Sequence, residues 1–122
     1  VTNNKFRVWC RDYNEWEKDP IFLSQDGTPY HLLRGQLVAI KPHNHVVQFF
    51  TGLFDSEGGA ICCGDLLQDE DGGVCEVYLQ KGSYCLRFLK DFRGRILLED
   101  YLRTGENVIV GNIFQNPELL KS

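Results

Sequence analysis

The sequence predicts a mainly β (α+β) fold: a small, strongly bent antiparallel sheet or SH3-like barrel with one or two short helices near the C-terminus. Three observations predict it. Apolar residues come in short runs or in alternation, each bounded by Gly, Pro, Asn or Asp, which is the strand pattern. The segment from Val74 to Leu89 reads as a complete hairpin. Helical spacing is confined to Leu98 and Leu102, with Gly105 just beyond, and to a start signal at Asn116-Pro117-Glu118.

In chain order, Phe6, Val8 and Cys10 alternate with Arg7 and Trp9, so a first strand should turn Trp9 away from the other three. Ile21-Phe22-Leu23, Leu37-Val38-Ala39-Ile40 and Val46-Val47-Gln48-Phe49-Phe50 are short strand-like runs, with Lys41-Pro42-His43-Asn44-His45 as a polar turn between the last two. Phe49 to Phe54 reads as an aromatic turn region. Thr51-Gly52 and Gly58-Gly59 mark turns with positive φ, and Asp69-Glu70-Asp71-Gly72-Gly73 is a solvated hairpin tip.

The hairpin that follows has a definite register. With Lys81-Gly82 as a two-residue turn, Gln80 faces Ser83, Leu79 faces Tyr84, Val77 faces Leu86 and Cys75 faces Phe88, which makes one face uniformly apolar. The other face carries Val74 with Leu89, Glu76 with Arg87, and Tyr78 with Cys85. A one-residue slip would mix the two sets. A turn at Phe92-Arg93-Gly94, a short helix within Ile96 to Leu102 and a strand from Asn107 to Phe114 come next. Asn116 can then cap a terminal turn that carries Leu119 and Leu120.

The 122 residues fit one domain, 1–122, long enough to fold without staples. Five cysteines, an odd number, and a start too polar for a signal peptide point to reduced thiols in a cytosolic protein. No run approaches the roughly 20 apolar residues of a membrane span. A net charge of −4 and a pI near 5.3 oppose generic nucleic-acid binding, which rests on phosphate neutralisation.

Three blocks are distinctive. They are Lys5-Phe6-Arg7-Val8-Trp9, the stretch from Gln48-Phe49-Phe50-Thr51-Gly52-Leu53 to Gly64-Asp65, and the closing run from Val108-Ile109-Val110-Gly111-Asn112-Ile113 to Asn116-Pro117-Glu118-Leu119-Leu120. In this order they resemble the signature of the YopX family, small proteins encoded by bacteriophages and prophages. Cys62-Cys63 before Gly64-Asp65 departs from the pattern, where typical members carry a bulky or acidic residue. The resemblance implies a fold and a phage or prophage setting, and it implies no reaction. Read physically, the blocks are punctuation and packing. Asp65 can accept backbone hydrogen bonds where a strand begins, and Gly111 permits close backbone approach inside an apolar strand.

The leading functional expectation is a non-enzymatic accessory protein, a protein-interaction or self-assembling module. Its partner would be an unidentified host or phage protein or a second copy, with Trp9, Trp16, Phe49 and Phe54 at the interface. A nucleic-acid alternative uses Arg87, Lys90, Arg93 and Arg95, with Tyr78 or Tyr84 as stacking platforms. A second alternative is a metal- or cysteine-dependent enzyme. His43 and His45 share a face in an extended segment and Cys63 or Cys62 could add a thiolate, with Asp55, Asp65 or His31 as a further ligand. Local spacing gives this site no support, so the polar turn is preferred and no metal or cofactor is expected. The acidic run at Asp69–Asp71 lacks the ligand alternation of a calcium loop.

Overall fold

The structure, a computed structural model, describes residues 6–18, 21–40, 44–90 and 93–121. It is mainly β, as the alternation predicts, and its hairpins and the pairing of Asp65–Asp69 with Asn107–Asn112 are antiparallel. Contacts divide the chain into two compact units, Val1–Gln48 and Phe49–Ser122. Among the described residues no helix is long and apolar enough to cross a membrane.

In the first unit β1 (Phe6–Cys10) pairs with β2 (Glu15–Trp16), setting Trp9 opposite Trp16 and Cys10 opposite Glu15. β1 also neighbours β6 (His45–Phe54), which begins in this unit. A separate sheet joins β3 (Ile21–Leu23), β4 (Pro29–Leu33) and β5 (Gln36–Ala39) in that order. Trp9 turns away from Val8 and Cys10 as alternation predicts, but an interface role would need an exposed ring and this one is covered. Val8 and Cys10 are buried on one face of β1 and Trp9, only 3% exposed, is buried on the other. Alternation assigns residues to faces, but it does not say how many faces are covered. The Trp9 ring meets Trp16 edge-on at 4.9 Å, and the Arg7 guanidinium lies 4.1 Å over the Trp16 ring.

In the second unit the later part of β6 pairs with β7 (Ala60–Cys62). A five-stranded sheet runs β11 (Ile96–Leu97), β10 (Ser83–Phe88), β9 (Val74–Gln80), β8 (Asp65–Asp69), β12 (Asn107–Asn112). The β9–β10 register is the predicted one, pair for pair from Gln80↔Ser83 to Cys75↔Phe88. Lys81 and Gly82 have φ of +50° and +82°, the two left-handed residues of a type I′ turn. The apolar face supplies Cys75, Val77, Leu86 and Phe88 to a core completed by Ile61, Leu67 and Leu98. Leu66 and Cys85, on the other face, are fully buried as well.

Several local expectations change. Phe49 to Phe54 is strand, part of β6, and its register against β7 shifts between Phe50 and Phe54 around Gly52, whose φ is +87°. Gly58 takes a positive φ and Gly59 does not; a side chain on Gly59 would press on the Asp55 carboxylate at 3.1 Å. The helix α1 covers only Leu98–Leu102, because Ile96–Leu97 pairs with β10 first. Phe92 of the predicted turn lies outside the described residues. The terminal turn is a 3-10 helix, Pro117–Lys121. Asn116 does not cap it with its side chain. Its Oδ1 accepts the Asn112 N–H at 3.1 Å, lying 2.7 Å from where a Cβ on Gly111 would stand. The close approach predicted at Gly111 is thus made by Asn116.

A recurrent turn chemistry closes three hairpins. At Ser24–Thr28, Asp55–Gly59 and Asp69–Gly73 the first residue's N–H donates to the fifth residue's carbonyl at 2.8–3.0 Å, and the fourth residue, a glycine, donates back to the first. The first side chain accepts the fifth residue's N–H in each case, through Ser24 Oγ at 3.1 Å and through the two aspartate carboxylates at 2.6 and 2.8 Å. The tip at Asp69 is therefore more than solvated charge. Its carboxylate also accepts the Tyr101 hydroxyl at 2.6 Å. That donation, ahead of the backbone N–H bonds, holds Asp69 below the usual carboxylate range. Burial first, and then the same bond, pushes the Tyr101 phenol up to about 12.

Candidate functional site

The chemically richest group of side chains lies in the first unit, at the turn end of the β1–β2 hairpin. Cys10 and Glu15 form the last ladder pair of that hairpin, and the Glu17 N–H bonds to the Val8 carbonyl at 2.8 Å. Glu17 is thereby a diagonal neighbour of Cys10 on the same face. The Arg11 N–H donates to the Asn44 carbonyl at 2.8 Å, which brings the start of β6, and with it His45, to the end of β1. Cys10, Glu17 and His45 each present one ligand-type atom, and these atoms lie within 4.8 Å of one another. Glu17 Oε2 is 3.5 Å from His45 Nε2 and 3.8 Å from Nε2 of His31 on β4. The two imidazoles stand nearly perpendicular with centroids 6.5 Å apart. A cavity of about 410 Å³ is lined by these four residues together with Asp12 and Glu15.

Of the residues that the metal alternative draws on, His45 is in this group and His31, its candidate further ligand, adjoins it. His43 lies outside the described residues. The Cys63 thiol approaches the Val77 carbonyl at 4.0 Å, and the group formed among the described residues is built on Cys10, Glu17 and His45, gathered from different segments. Nothing in the local spacing marks Cys10 or Glu17 as ligands. The other cysteines are core groups. Cys75 is 1% exposed and burial pushes its thiol up to about 12, far from a reactive thiolate. Asp65 accepts a backbone N–H at the start of β8 as predicted, from Cys62 at 2.8 Å; it is also buried and accepts the Asn112 carboxamide at 3.1 Å.

The interface candidates separate. Trp9 is buried and Trp16 is half-buried between Arg7 and Trp9, while Phe49 and Phe54 are 45% and 53% exposed. A larger apolar surface lies on the β3–β4–β5 sheet. The pairs Phe22↔Tyr30, Tyr30↔Ala39 and Leu32↔Leu37 place these residues on one face, and Phe22, Leu32 and Leu37 are 47%, 47% and 59% exposed. The sequence signal for it is the absence of alternation in Ile21-Phe22-Leu23 and Leu37-Val38-Ala39-Ile40, where apolar residues occupy both faces.

The basic residues do not form a stripe. Arg87 lies 3.6 Å from Glu76 and 4.4 Å over the Tyr78 ring on one face of the hairpin; Arg93 lies 3.8 Å over Phe88, which faces the other way. Burial holds Glu76 above its ordinary range, and the Arg87 charge opposes that shift. Lys90 and Arg95 are exposed, and Tyr78 and Tyr84 fall on opposite faces.

The family model described as YopX protein matches residues 5–121. Among solved structures, protein yopX from Bacillus subtilis is similar with a TM-score of 0.67 at 20% identity, covering 98% of this chain and 100% of that one. Protein EF1440 from Enterococcus faecalis is similar with a TM-score of 0.66 at 21% identity, covering 96% of this chain and 97% of that one. No match was found among curated proteins. With the signature blocks in order, the model spanning nearly the whole chain and the fold shared end to end, the chain belongs to the YopX family.

Proposed function

We propose that this YopX-family chain is a phage- or prophage-encoded accessory protein that works in the bacterial cytoplasm by binding another polypeptide, without catalysis of its own. The observation that carries the reading is the open apolar face of the β3–β4–β5 sheet, built on Phe22, Leu32 and Leu37. Their exposed side chains amount to on the order of 300 Å² of apolar surface, the size of patch that is often functional on a monomer. Covering that area contributes about 7 kcal/mol from this side. That only offsets an association cost of about 4–15 kcal/mol, so a stable complex must add further contacts. The adjacent edge supplies them. β5 ends the sheet, is exposed along its length, and can pair with a partner strand. Phe49 and Phe54 offer a further exposed aromatic pair in the second unit.

The test is the double variant Leu32→Lys/Leu37→Lys, which alters only exposed positions. Light scattering should show the wild type associating with itself, or affinity capture from lysogenic cells with mass spectrometry should return a specific partner. The variant should lose whichever contact is found while keeping the wild-type far-UV spectrum. A variant with the same mass and the same captured proteins as the wild type would overturn the assignment of this face. The gene neighbourhood checks the phage setting separately.

A further inference from the structure

We propose that Cys10, Glu17, His31 and His45 form a binding site for one zinc-type divalent ion that holds the first unit together. A thiolate, two imidazoles and a carboxylate are the donors that zinc takes in four-coordinate protein sites. The thiolate selects against magnesium and calcium, which prefer all-oxygen shells.

The geometry is already close to what coordination requires. Bonds of about 2.0–2.3 Å at tetrahedral angles put neighbouring ligand atoms about 3.3–3.8 Å apart. Glu17 Oε2 stands at 3.5 Å from His45 Nε2 and 3.8 Å from His31 Nε2. Cys10 Sγ is within 4.8 Å of both the Glu17 and His45 ligand atoms, so these three close on an ion with a movement of about 1 Å, and His31, beside Glu17, swings in as the fourth. Four protein ligands leave no open position, which makes the ion structural.

Two further observations are compatible with this role. His31 Nδ1 is buried without a hydrogen-bond partner, so no protein bond at that nitrogen holds the ring against turning its Nε2 toward an ion. The first unit is also poor in core. Its buried apolar side chains among the described residues are Val8, Trp9, Cys10 and Ile40. Its cysteine, Cys10, is a free thiol. An ion bound here would tie β1, β4, β6 and the segment after β2 at one point, so that binding contributes directly to folding.

The experiment uses the full chain without an affinity tag, stripped with a chelator, loaded with zinc or cobalt(II) and passed through gel filtration. Elemental analysis should find one equivalent of zinc. Cobalt should give a tetrahedral spectrum with a thiolate charge-transfer band, and zinc should raise the thermal midpoint. Cys10→Ser should abolish the charge-transfer band, and His45→Gln should lose the stoichiometric zinc, whereas Cys63→Ser should change neither. If a variant fails to fold, the wild-type cobalt spectrum decides by itself, since it must show both thiolate coordination and tetrahedral geometry. Wild-type protein that emerges without stoichiometric metal overturns the proposal, as does metal retained unchanged by Cys10→Ser and His45→Gln.

Discussion

Replacing Asp55 by alanine should destabilise the second unit more than any other single change at a turn. Its carboxylate gathers three backbone amides. Oδ1 accepts the Glu57 and Gly59 N–H groups at 3.0 and 2.6 Å, and Oδ2 accepts the Ile109 N–H at 2.9 Å. The last of these comes from β12, where the ladder to β8 shifts register between Ile109 and Gly111. One side chain therefore closes the β6–β7 hairpin and also fastens the irregular point of a distant strand. The Glu57 bond is exposed and contributes little. The other two are partly buried bonds to a charged acceptor, each worth about 1.5–3 kcal/mol, and alanine leaves both donors without a partner. Allowing for water reaching the freed amides, Asp55→Ala should lower stability by about 3 kcal/mol.

Urea unfolding followed by far-UV circular dichroism should then move its midpoint down by about 1–2 M. Tryptophan fluorescence gives a second view, because Trp9 and Trp16 both belong to the first unit. Asp55→Asn keeps an oxygen toward Glu57 and Gly59 but turns an amide donor toward the Ile109 N–H, so it should lose about half as much. Glu57→Ala, an exposed change in the same turn, is the control and should stay within about 0.5 kcal/mol. An Asp55→Ala midpoint indistinguishable from that of Glu57→Ala would refute the reasoning, since it would mean that water replaces the carboxylate at both buried amides.

Gly111→Ala should destabilise by about 1–3 kcal/mol, because the new methyl would stand 2.7 Å from Asn116 Oδ1, and a double-mutant cycle with Asn116→Ala should show a coupling above about 0.5 kcal/mol. The Tyr101–Asp69 bond predicts a pH signature. Because the folded-state pKa of Asp69 is depressed, its stabilisation is present above the ordinary carboxylate range, about 3.9, and is lost as pH falls through the lower folded value. The difference between wild type and Tyr101→Phe, measured by urea midpoint, should therefore be full near neutrality and shrink in acid. At the alkaline end Tyr101 has a raised folded pKa, so its contribution should persist below about 10 and disappear as pH rises through about 12, which ultraviolet titration of the phenol would follow. Lys81→Asn should stabilise the β9–β10 hairpin by about 0.5–1 kcal/mol, since φ of +50° is strained for lysine and common for asparagine, and an unchanged midpoint would argue against strain there.

What could be read from sequence, and what could not, divides along the range of the forces involved. The β9–β10 hairpin was legible to the residue, because period-two alternation and a two-residue tip together leave a single register that keeps Cys75, Val77 and Leu86 on one side. Gly111 was legible as a place of close approach, but its neighbour was not, since Asn116 reaches it only after the chain reverses beyond β12. Trp9 lies on the face that alternation gives it, but its burial is not legible there. Alternation is a property of one strand, while burial depends on what covers each side, and both sides of β1 are covered. The same argument runs in reverse for Phe22 and Leu37. Their runs carry apolar residues on both faces, so the sequence demands cover on both, yet Phe22 and Leu37 on one face and Leu33 and Val38 on the other stay 43–59% exposed. The Cys10–Glu17–His31–His45 group is the extreme case. Its members come from four segments and meet only because a hairpin register places Glu17 diagonal to Cys10 and one backbone bond from Arg11 to Asn44 draws β6 alongside. Local spacing carries no trace of such a site. For a chain like this one, donor residues scattered across the β1, β4 and β6 segments, and runs that fail to alternate, are therefore more informative about function than the signature blocks, whose residues are occupied in holding turns and bulges in place.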